Sequence, residues 1–222
     1  MEDKSKCTKE VWDKAQDFEL HAWMRAGRNG DDWNQWWAQR FDNYSVLTPF
    51  VDKVQSMIEV GCGPYAKNSQ ILFGLLRPKE VVVADPLLSK YQENGFEVSS
   101  WIEKVGAKGI NKPLEELQSG SFDVVICINV LDHVIDSNRC MNALSALLNK
   151  GGLLIIGQDL TSEEDLENQE VRLDVGHPIK LDHSFFEDKL KDYECLFEKI
   201  LKREEGRNPK AHYGTLLYIG KK

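Results

Sequence analysis

The chain has 222 residues, 41% of them hydrophobic, which suits a globular domain with a buried core rather than a disordered chain. Its 36 acidic residues outnumber its 28 basic residues and leave a formal charge of −8. This charge argues against a protein that binds nucleic acid or anionic membranes through a broad basic surface, because those partners are themselves negative.

The opening segment, Met1–Glu10, is charged and lacks an apolar core, so we do not expect a secretory signal peptide. No apolar run approaches the roughly 20 residues that span a bilayer. The 5 cysteines are widely spaced and include no C-x-x-C pair, which argues against a disulfide framework and against a zinc knuckle. We expect a reduced, soluble, cytoplasmic protein.

Helical periodicity dominates the N-terminal section of the chain. The first predicted helix covers residues 9–26, and its apolar face consists of Val11, Ala15, Phe18 and Ala22, with Trp12, Glu19 and Trp23 beside it. A second helix, capped by Asp31, carries aromatic side chains at helical spacing. These aromatic residues are Trp33, Trp37, Phe41 and Tyr44.

We therefore predict a helical appendage or lid over residues 1–50, followed by a main domain over residues 51–222, within one folding unit. The aromatic residues of the appendage either pack against the core or cover an acceptor, and the sequence leaves both readings open. The candidate substrate contacts among them are Trp33, Trp37 and Tyr44.

Short apolar runs that alternate with helical stretches begin after Pro49. Such runs are typical of parallel strands buried on both faces, and the alternation indicates βαβ units. The runs cover residues 56–60, 80–84, 122–128 and 153–156, with a weak strand near Gly109-Ile110. Residues 193–202 and 213–219 flank a polar stretch and predict a β-hairpin at the sheet edge. The predicted fold class is an open α/β sheet.

A glycine-rich turn follows the first predicted strand, in the sequence Glu59-Val60-Gly61-Cys62-Gly63-Pro64-Tyr65-Ala66. Glycines at such a turn let the backbone approach a ligand closely. The second strand ends at Asp85, where a carboxylate can accept hydrogen bonds from both hydroxyls of a ribose. Together these features predict a cofactor that contains adenosine.

The same turn formally fits the dinucleotide fingerprint, so an NAD-dependent oxidoreductase is one alternative. Glu59 argues against it, because a carboxylate just before the first glycine suits a cationic ligand better than a pyrophosphate. Pro64 and Tyr65 also disturb the donor-rich turn that a pyrophosphate requires at a helix N-terminus.

The order of motifs resembles that of class I S-adenosylmethionine-dependent methyltransferases. The motifs that carry the resemblance are Glu59–Pro64, Val83–Leu87, Phe122–Val134 and Lys150–Ile156. It extends over residues 54–220 and implies a Rossmann-like, doubly wound, mostly parallel sheet of seven strands with a reversed last strand. It also implies S-adenosylmethionine as cofactor and S-adenosylhomocysteine as product.

The resemblance further implies roles for individual residues. Asp85 would hold the ribose hydroxyls, Glu59 would border the methionine part of the cofactor, and Asn129 would offer its carbonyl to the cofactor's amino group. The implied cofactor contacts are Glu59, Gly61, Cys62, Gly63, Asp85, Pro86, Leu87, Leu114, Glu115, Asn129 and Val130. The chain departs from the family at Tyr65, where a third glycine is frequent. It also departs at Pro113, where an acidic residue that contacts the adenine is frequent, so adenine recognition is assigned to Leu114 or Glu115.

Two histidines are candidate catalytic bases. His133 follows the fourth strand beside Asp132 and Asp136, which could raise its pKa. His177 lies in a loop after the fifth strand, from which it could also contact the substrate. No metal site is predicted, because His177, Asp182 and His183 do not match a known ligand spacing.

The functional expectation is methyl transfer from S-adenosylmethionine to a small-molecule acceptor, a hydroxyl of a sugar or a similar metabolite. The choice of a sugar rests on residues 12–23, which loosely resemble small methyltransferases associated with surface-glycan synthesis. No nucleic acid and no membrane is expected as a partner, and the oligomeric state is left open. A second alternative is a non-catalytic regulator that binds the cofactor or its product.

Overall fold

The computed structural model describes residues 3–26, 32–118 and 120–222, with side chains described outside residues 32–34. The helices are α1 Lys9–Ala26, α2 Asp32–Arg40, α3 Lys67–Leu76, α4 Leu88–Glu93, α5 Glu97–Val105, α6 Ser137–Leu147, α7 Gln169–Arg172 and α8 His183–Leu190. The strands are β1 Ser56–Val60, β2 Glu80–Ala84, β3 Lys108–Ile110, β4 Phe122–Ile128, β5 Leu148–Leu160, β6 Glu194–Lys202 and β7 Gly214–Lys221. Within the described ranges, no helix has the length and apolar character needed to cross a membrane.

The seven strands form one sheet in the order β3-β2-β1-β4-β5-β7-β6. Strands β1 to β5 pair in parallel, whereas β7 runs antiparallel to both β5 and β6. The predicted α/β fold class with a reversed last strand is confirmed. The register pairs Val60 of β1 with Ala84 of β2 and Cys127 of β4, so the carboxyl ends of these strands meet at one edge.

Two apolar layers cover the two faces of the sheet, as expected for parallel strands that are buried on both sides. Met57 and Ile126 belong to one layer, and their neighbours Ile58 and Val125 belong to the other. Each fully buried aliphatic side chain contributes roughly 1.5–3 kcal/mol of transfer free energy. Because both faces of the central strands are packed, the sheet edge at which these strands end has a fixed position.

The N-terminal section packs against the same core. Phe41 and Leu47 are fully buried in the first layer, and the Phe41 ring lies 6.0 Å from that of Phe197. The start of the chain is also tied to the main domain, because Cys7 N donates to Ile135 O and Ser137 N donates to Ser5 O. A separate appendage over residues 1–50 stays a prediction, and the predicted cap Asp31 lies outside the described residues.

Helix α1 presents a different face to the protein from the one its apolar pattern indicated. Val11 and Phe18 are 41% and 43% exposed, whereas Trp12, Ala15 and Gln16 are buried. The prediction of the apolar face is therefore wrong at Val11 and Phe18. The physical reason is that the indole of Trp12 and the amide of Gln16 find a hydrogen-bond acceptor beneath the helix, described below, which the apolar side chains of Val11 and Phe18 cannot use.

Candidate functional site

The turn after β1 requires glycine for two different reasons. Gly61 has a φ of +63°, and a Cβ atom there would lie 2.3 Å from a methyl carbon of Val130. Gly63 has a φ of +59°, but no atom lies within 4 Å of the position its Cβ would occupy. Gly61 therefore allows close packing of the turn on the segment after β4, whereas Gly63 leaves open space above the backbone.

Asp85 at the end of β2 is bound to this turn. Its carboxylate accepts hydrogen bonds from Gly63 N at 3.0 Å and from Leu87 N at 2.8 Å. Burial raises the pKa of Asp85 to about 6, an effect that these hydrogen bonds partly oppose. Each carboxylate oxygen has a second lone pair, so the group can still accept hydrogen bonds from a ligand.

The chain bends sharply where β4 ends. Asn129 has a φ of +56°, and its backbone N–H donates to Gly157 O at 2.7 Å. Its side-chain oxygen is buried and has no hydrogen-bond partner within the described part of the chain. An unpaired buried amide oxygen is unfavourable by about 1–3 kcal/mol, so this atom is a candidate ligand contact.

These segments line one cavity of about 970 Å³, measured with its open mouth. Helix α1 covers it with Trp12, Gln16, Glu19 and Trp23. Trp12 Nε1 and Gln16 Nε2 both donate to the carbonyl oxygen of His133, at 2.9 and 3.3 Å. The periodicity of α1 gave no sign of these two polar contacts, because their partner is a backbone carbonyl far along the chain.

Most of the predicted cofactor contacts do line the cavity. They are Gly61, Cys62, Gly63, Asp85, Pro86, Leu87, Leu114, Glu115, Asn129 and Val130. Lys112 also lines it, and sequence reasoning did not single out this cation. Glu115 has a structural function as well, since its carboxylate accepts from Ile135 N at 2.7 Å and from Asp136 N at 3.3 Å.

Glu59 is the predicted cofactor contact that does not line the cavity. It is 2% exposed and accepts hydrogen bonds from Ser69 N at 2.9 Å and Asn68 Nδ2 at 3.2 Å. Burial raises the pKa of Glu59 to about 7, although those hydrogen bonds favour its charged form. The carboxylate thus holds the first turn of α3, where free N–H groups attract a negative charge.

The predicted aromatic contacts are placed differently from one another. Trp37 lines the cavity and packs over Gly157. Tyr44 is fully buried, donates to Asn68 Oδ1 at 3.2 Å and does not line the cavity. The side chain of Trp33 lies outside the described residues. Tyr65 is also absent from the cavity wall, because its ring packs edge-on against Trp23 and Phe96.

The two predicted histidines meet beside the cavity. The ring centroids of His133 and His177 are 4.6 Å apart, and His133 Nε2 lies 3.6 Å from Asp132 Oδ1. His177 Nδ1 is 2.8 Å from Asp174 Oδ2. Burial alone would lower the pKa of His177, but the hydrogen bond with Asp174 and the charge of Asp132 raise it to about 9.

A second set of polar side chains lies next to this cluster, in or beside β5 and β7. Thr161 Oγ1 and His212 Nδ1 are 3.2 Å apart, and Thr215 Oγ1 donates to Asp159 Oδ1 at 2.6 Å. The His212 ring lies 6.1 Å from that of His177. Sequence reasoning missed Asp159 and His212, since each is a single polar residue in an apolar strand or a loop, without a motif.

Residues 36–193 match a family model described as a methyltransferase domain. The chain is also 29% identical over 147 residues to the tRNA U34 carboxymethyltransferase of Campylobacter jejuni. That alignment covers 62% of this chain and 48% of the relative, so the chain spans about half the length of the curated relatives it matches.

Solved structures share the fold. One chain of the complex between the Haloferax volcanii Trm112 methyltransferase activator and a methyltransferase superposes with a TM-score of 0.65 at 14% identity, over 91% of this chain and 96% of that one. The N-methyltransferase NodS from Bradyrhizobium japonicum, in complex with S-adenosylhomocysteine, gives a TM-score of 0.55 at 14% identity, over 82% and 86%.

These comparisons correct one sequence-based prediction. We expected a small-molecule acceptor and no nucleic acid as partner, and this prediction is wrong: the curated relatives are named for a tRNA nucleoside, and one structural neighbour was solved with a protein activator. The negative net charge that led to the prediction describes the average surface. It does not determine which ligand a single cavity can bind.

Proposed function

Because the chain belongs to the methyltransferase domain family, which confirms the resemblance seen in its sequence, we propose that it transfers a methyl group from S-adenosylmethionine to a nucleoside of an RNA. The observation that carries this proposal is the cavity itself. Its wall includes the glycine turn, Asp85 and His133, and the ring of His177 lies 4.6 Å from that of His133. Membership of this family favours the methyltransferase over the oxidoreductase alternative.

The residues of the cavity fit S-adenosylmethionine. The open space above Gly63 accommodates a ligand at the backbone, and the spare lone pairs of Asp85 suit the two hydroxyls of a ribose. Asn129 also lines the cavity, and its unpaired side-chain oxygen is an acceptor for an ammonium or amide group. Lys112 offers a cation for a carboxylate.

When bound, S-adenosylmethionine supplies an electrophilic methyl group on a sulfonium ion, and the leaving group is a neutral thioether. The protein has to align the acceptor, exclude water and take up the acceptor's proton. His133 lines the cavity, where it is placed to receive that proton. His177 is less suited, because its pKa of about 9 keeps it protonated at neutral pH, where it supplies a positive charge instead.

An RNA acceptor is supported by the curated relatives, whose printed name refers to U34 of a tRNA. The formal charge of −8 makes extensive phosphate contact unfavourable. We therefore expect recognition of a single base that leaves its stack and enters the cavity mouth. Such recognition depends on the shape of the pocket and on hydrogen bonds rather than on a basic surface.

The test is a transfer assay with S-adenosylmethionine that is tritiated in its methyl group and with unmodified tRNA. Digestion to nucleosides and mass spectrometry then identify the base that carries the labelled methyl group. We expect incorporation that disappears in Asp85→Ala and persists in Asp188→Ala, a matched change at an exposed aspartate on α8. Intact binding of S-adenosylhomocysteine without any label in RNA would refute the RNA acceptor, and absence of that binding would refute the cofactor assignment.

A further inference from the structure

Three potential metal ligands meet at the wall of the cavity. Asp132 and His133 follow β4, and His177 reaches them from the loop between α7 and α8. Each offers one ligand atom, and these atoms all lie within 4.8 Å of one another. Two ligands that are each about 2.1 Å from an ion lie about 3.4 Å apart in tetrahedral geometry. The 3.6 Å between Asp132 Oδ1 and His133 Nε2 is close to that spacing.

Asp132 has an unsatisfied oxygen at this point. Its side chain is 5% exposed, and Oδ1 has no hydrogen-bond partner in the ranges that the structure describes. Burying a carboxylate oxygen without a partner is strongly unfavourable, whereas coordination of a cation removes that penalty. The unpartnered atom is the one that lies nearest to His133.

His177 is already oriented as a metal ligand would be. Its Nδ1 is bonded to Asp174, whose other oxygen accepts from Gly176 N at 2.9 Å. Histidine ligands of metals are commonly held in this way by a carboxylate on the far ring nitrogen, which fixes the ring and raises its basicity. The arrangement leaves Nε2 of His177 as the nitrogen available to an ion, which would displace the proton that this nitrogen carries at neutral pH.

We propose that Asp132, His133 and His177 bind one divalent first-row transition-metal ion at the edge of the cavity. Two imidazoles and one carboxylate favour Zn²⁺, Fe²⁺ or Co²⁺ over Mg²⁺ and Ca²⁺, which prefer oxygen ligands. Three protein ligands leave coordination positions open, and His133 lines the cavity. If the proposed function holds, an acceptor oxygen bound at an open position would lose its proton more readily, and the proton would pass to water, because His133 would then be a metal ligand rather than a base.

Titration with Co²⁺ tests the site directly. The full chain is purified without a histidine tag, stripped with a chelator and titrated at pH 8, and the visible absorption of bound Co²⁺ reports coordination. We expect one equivalent to bind with micromolar affinity and Zn²⁺ to displace it. Neither measurement requires the cofactor or an acceptor.

Variants connect the signal to the residues. His177→Ala and Asp132→Asn should abolish the Co²⁺ spectrum, and Asp174→Asn should weaken binding roughly 10–100-fold, because it removes only the group that orients His177. The matched control is His183→Ala. His183 also lies within 4 Å of two carboxylates, at 3.5 and 3.6 Å, and its side chain is about as exposed as that of His177. This control should bind Co²⁺ like the unmodified protein.

Circular dichroism and binding of S-adenosylhomocysteine verify that each variant is folded, and His177→Gln replaces any variant that is not. No Co²⁺ or Zn²⁺ binding by the folded protein, or equal binding by the His177 variants, would overturn the metal site. Since the titration is independent of transfer, metal binding without RNA methylation would leave this inference standing and count against the proposed function alone.

Discussion

Asp85, which we propose binds the ribose hydroxyls, should make cofactor binding depend on pH. Its pKa of about 6 means that the carboxylate is fully charged above pH 7 and protonated below pH 5. The charged form accepts hydroxyl hydrogen bonds more strongly, so the affinity for S-adenosylhomocysteine should fall as the pH decreases through 6. Calorimetric titrations between pH 5 and pH 8 measure this change. Asp85→Asn should bind roughly 10–100-fold more weakly at pH 8 and show a flat profile, since hydrogen bonds to a charged group contribute about 1.5–3 kcal/mol. If the Asp85→Asn variant had the same pH profile as the unmodified protein, Asp85 would not be the residue that binds the ribose hydroxyls.

Glu59 makes the stability of the fold depend on pH. Its folded pKa is about 7, raised from 4.5, so its contribution to stability is fully present below pH 4.5 and is lost as the pH rises through 7. Glu59→Gln removes this loss. Relative to the unmodified protein, the variant should gain about 3 kcal/mol between pH 4.5 and pH 8. Urea unfolding at both pH values measures this change in the free energy of unfolding. The control is Glu80→Gln, at an exposed strand end, which should show no such gain.

Gly61 and Gly63 give a matched pair of alanine substitutions. Gly61→Ala places a methyl group 2.3 Å from Val130, which adds steric overlap to a strained φ, so it should destabilise the protein by about 3 kcal/mol. Gly63→Ala meets no atom and should lose only about 1–2 kcal/mol from its positive φ. Denaturant unfolding of the two variants measures their free energies of unfolding. The double change Gly61→Ala with Val130→Ala should recover part of the loss, and failure to recover it would place the strain elsewhere.

At the scale of elements, α1 covers the cavity, and we expect it to control access to it. Its side chains Trp12 and Gln16 share one acceptor, the carbonyl oxygen of His133. Trp12→Phe combined with Gln16→Leu keeps the apolar contact and removes both hydrogen bonds, which contribute about 0.5–1.5 kcal/mol each. Dissociation of S-adenosylhomocysteine should accelerate about fivefold or more, with faster amide exchange in residues 9–26. Lys14→Ala, which breaks only an exposed pair with Glu10, is the control. Equal dissociation rates would show that α1 is not a lid.

At the scale of the whole molecule, the charge of −8 limits how an RNA can be held. The slope of log affinity against log salt reflects the number of phosphates neutralised. We expect tRNA binding to weaken by about tenfold or less between 50 and 200 mM salt, which corresponds to about two phosphate contacts. Filter binding in the presence of S-adenosylhomocysteine measures the slope. A much steeper dependence would indicate a basic RNA-binding surface instead of recognition by the cavity.

Features carried by contiguous sequence were predictable. The apolar runs of β1, β2, β4 and β5, the glycine turn and the acidic residue after β2 each depend on periodicity or on short motifs. They predicted the open α/β sheet, and the family resemblance that they carry implied its reversed last strand and most of the cavity wall. Local pattern specifies such features because strand burial and turn geometry are decided within a few residues.

Features that depend on how separate segments pack were decided only by the tertiary structure. Glu59 precedes the glycines as the family pattern requires, yet its carboxylate binds the first turn of α3 rather than lining the cavity. On α1, Trp12 is buried and Phe18 is exposed, because the carbonyl oxygen of His133 lies beneath Trp12 and accepts its hydrogen bond. Asp132, His133 and His177 come from two loops whose course no periodicity encodes. By itself the sequence determined the sheet and the cofactor turn, whereas packing decided which polar groups meet, since each such meeting depends on the path of distant backbone.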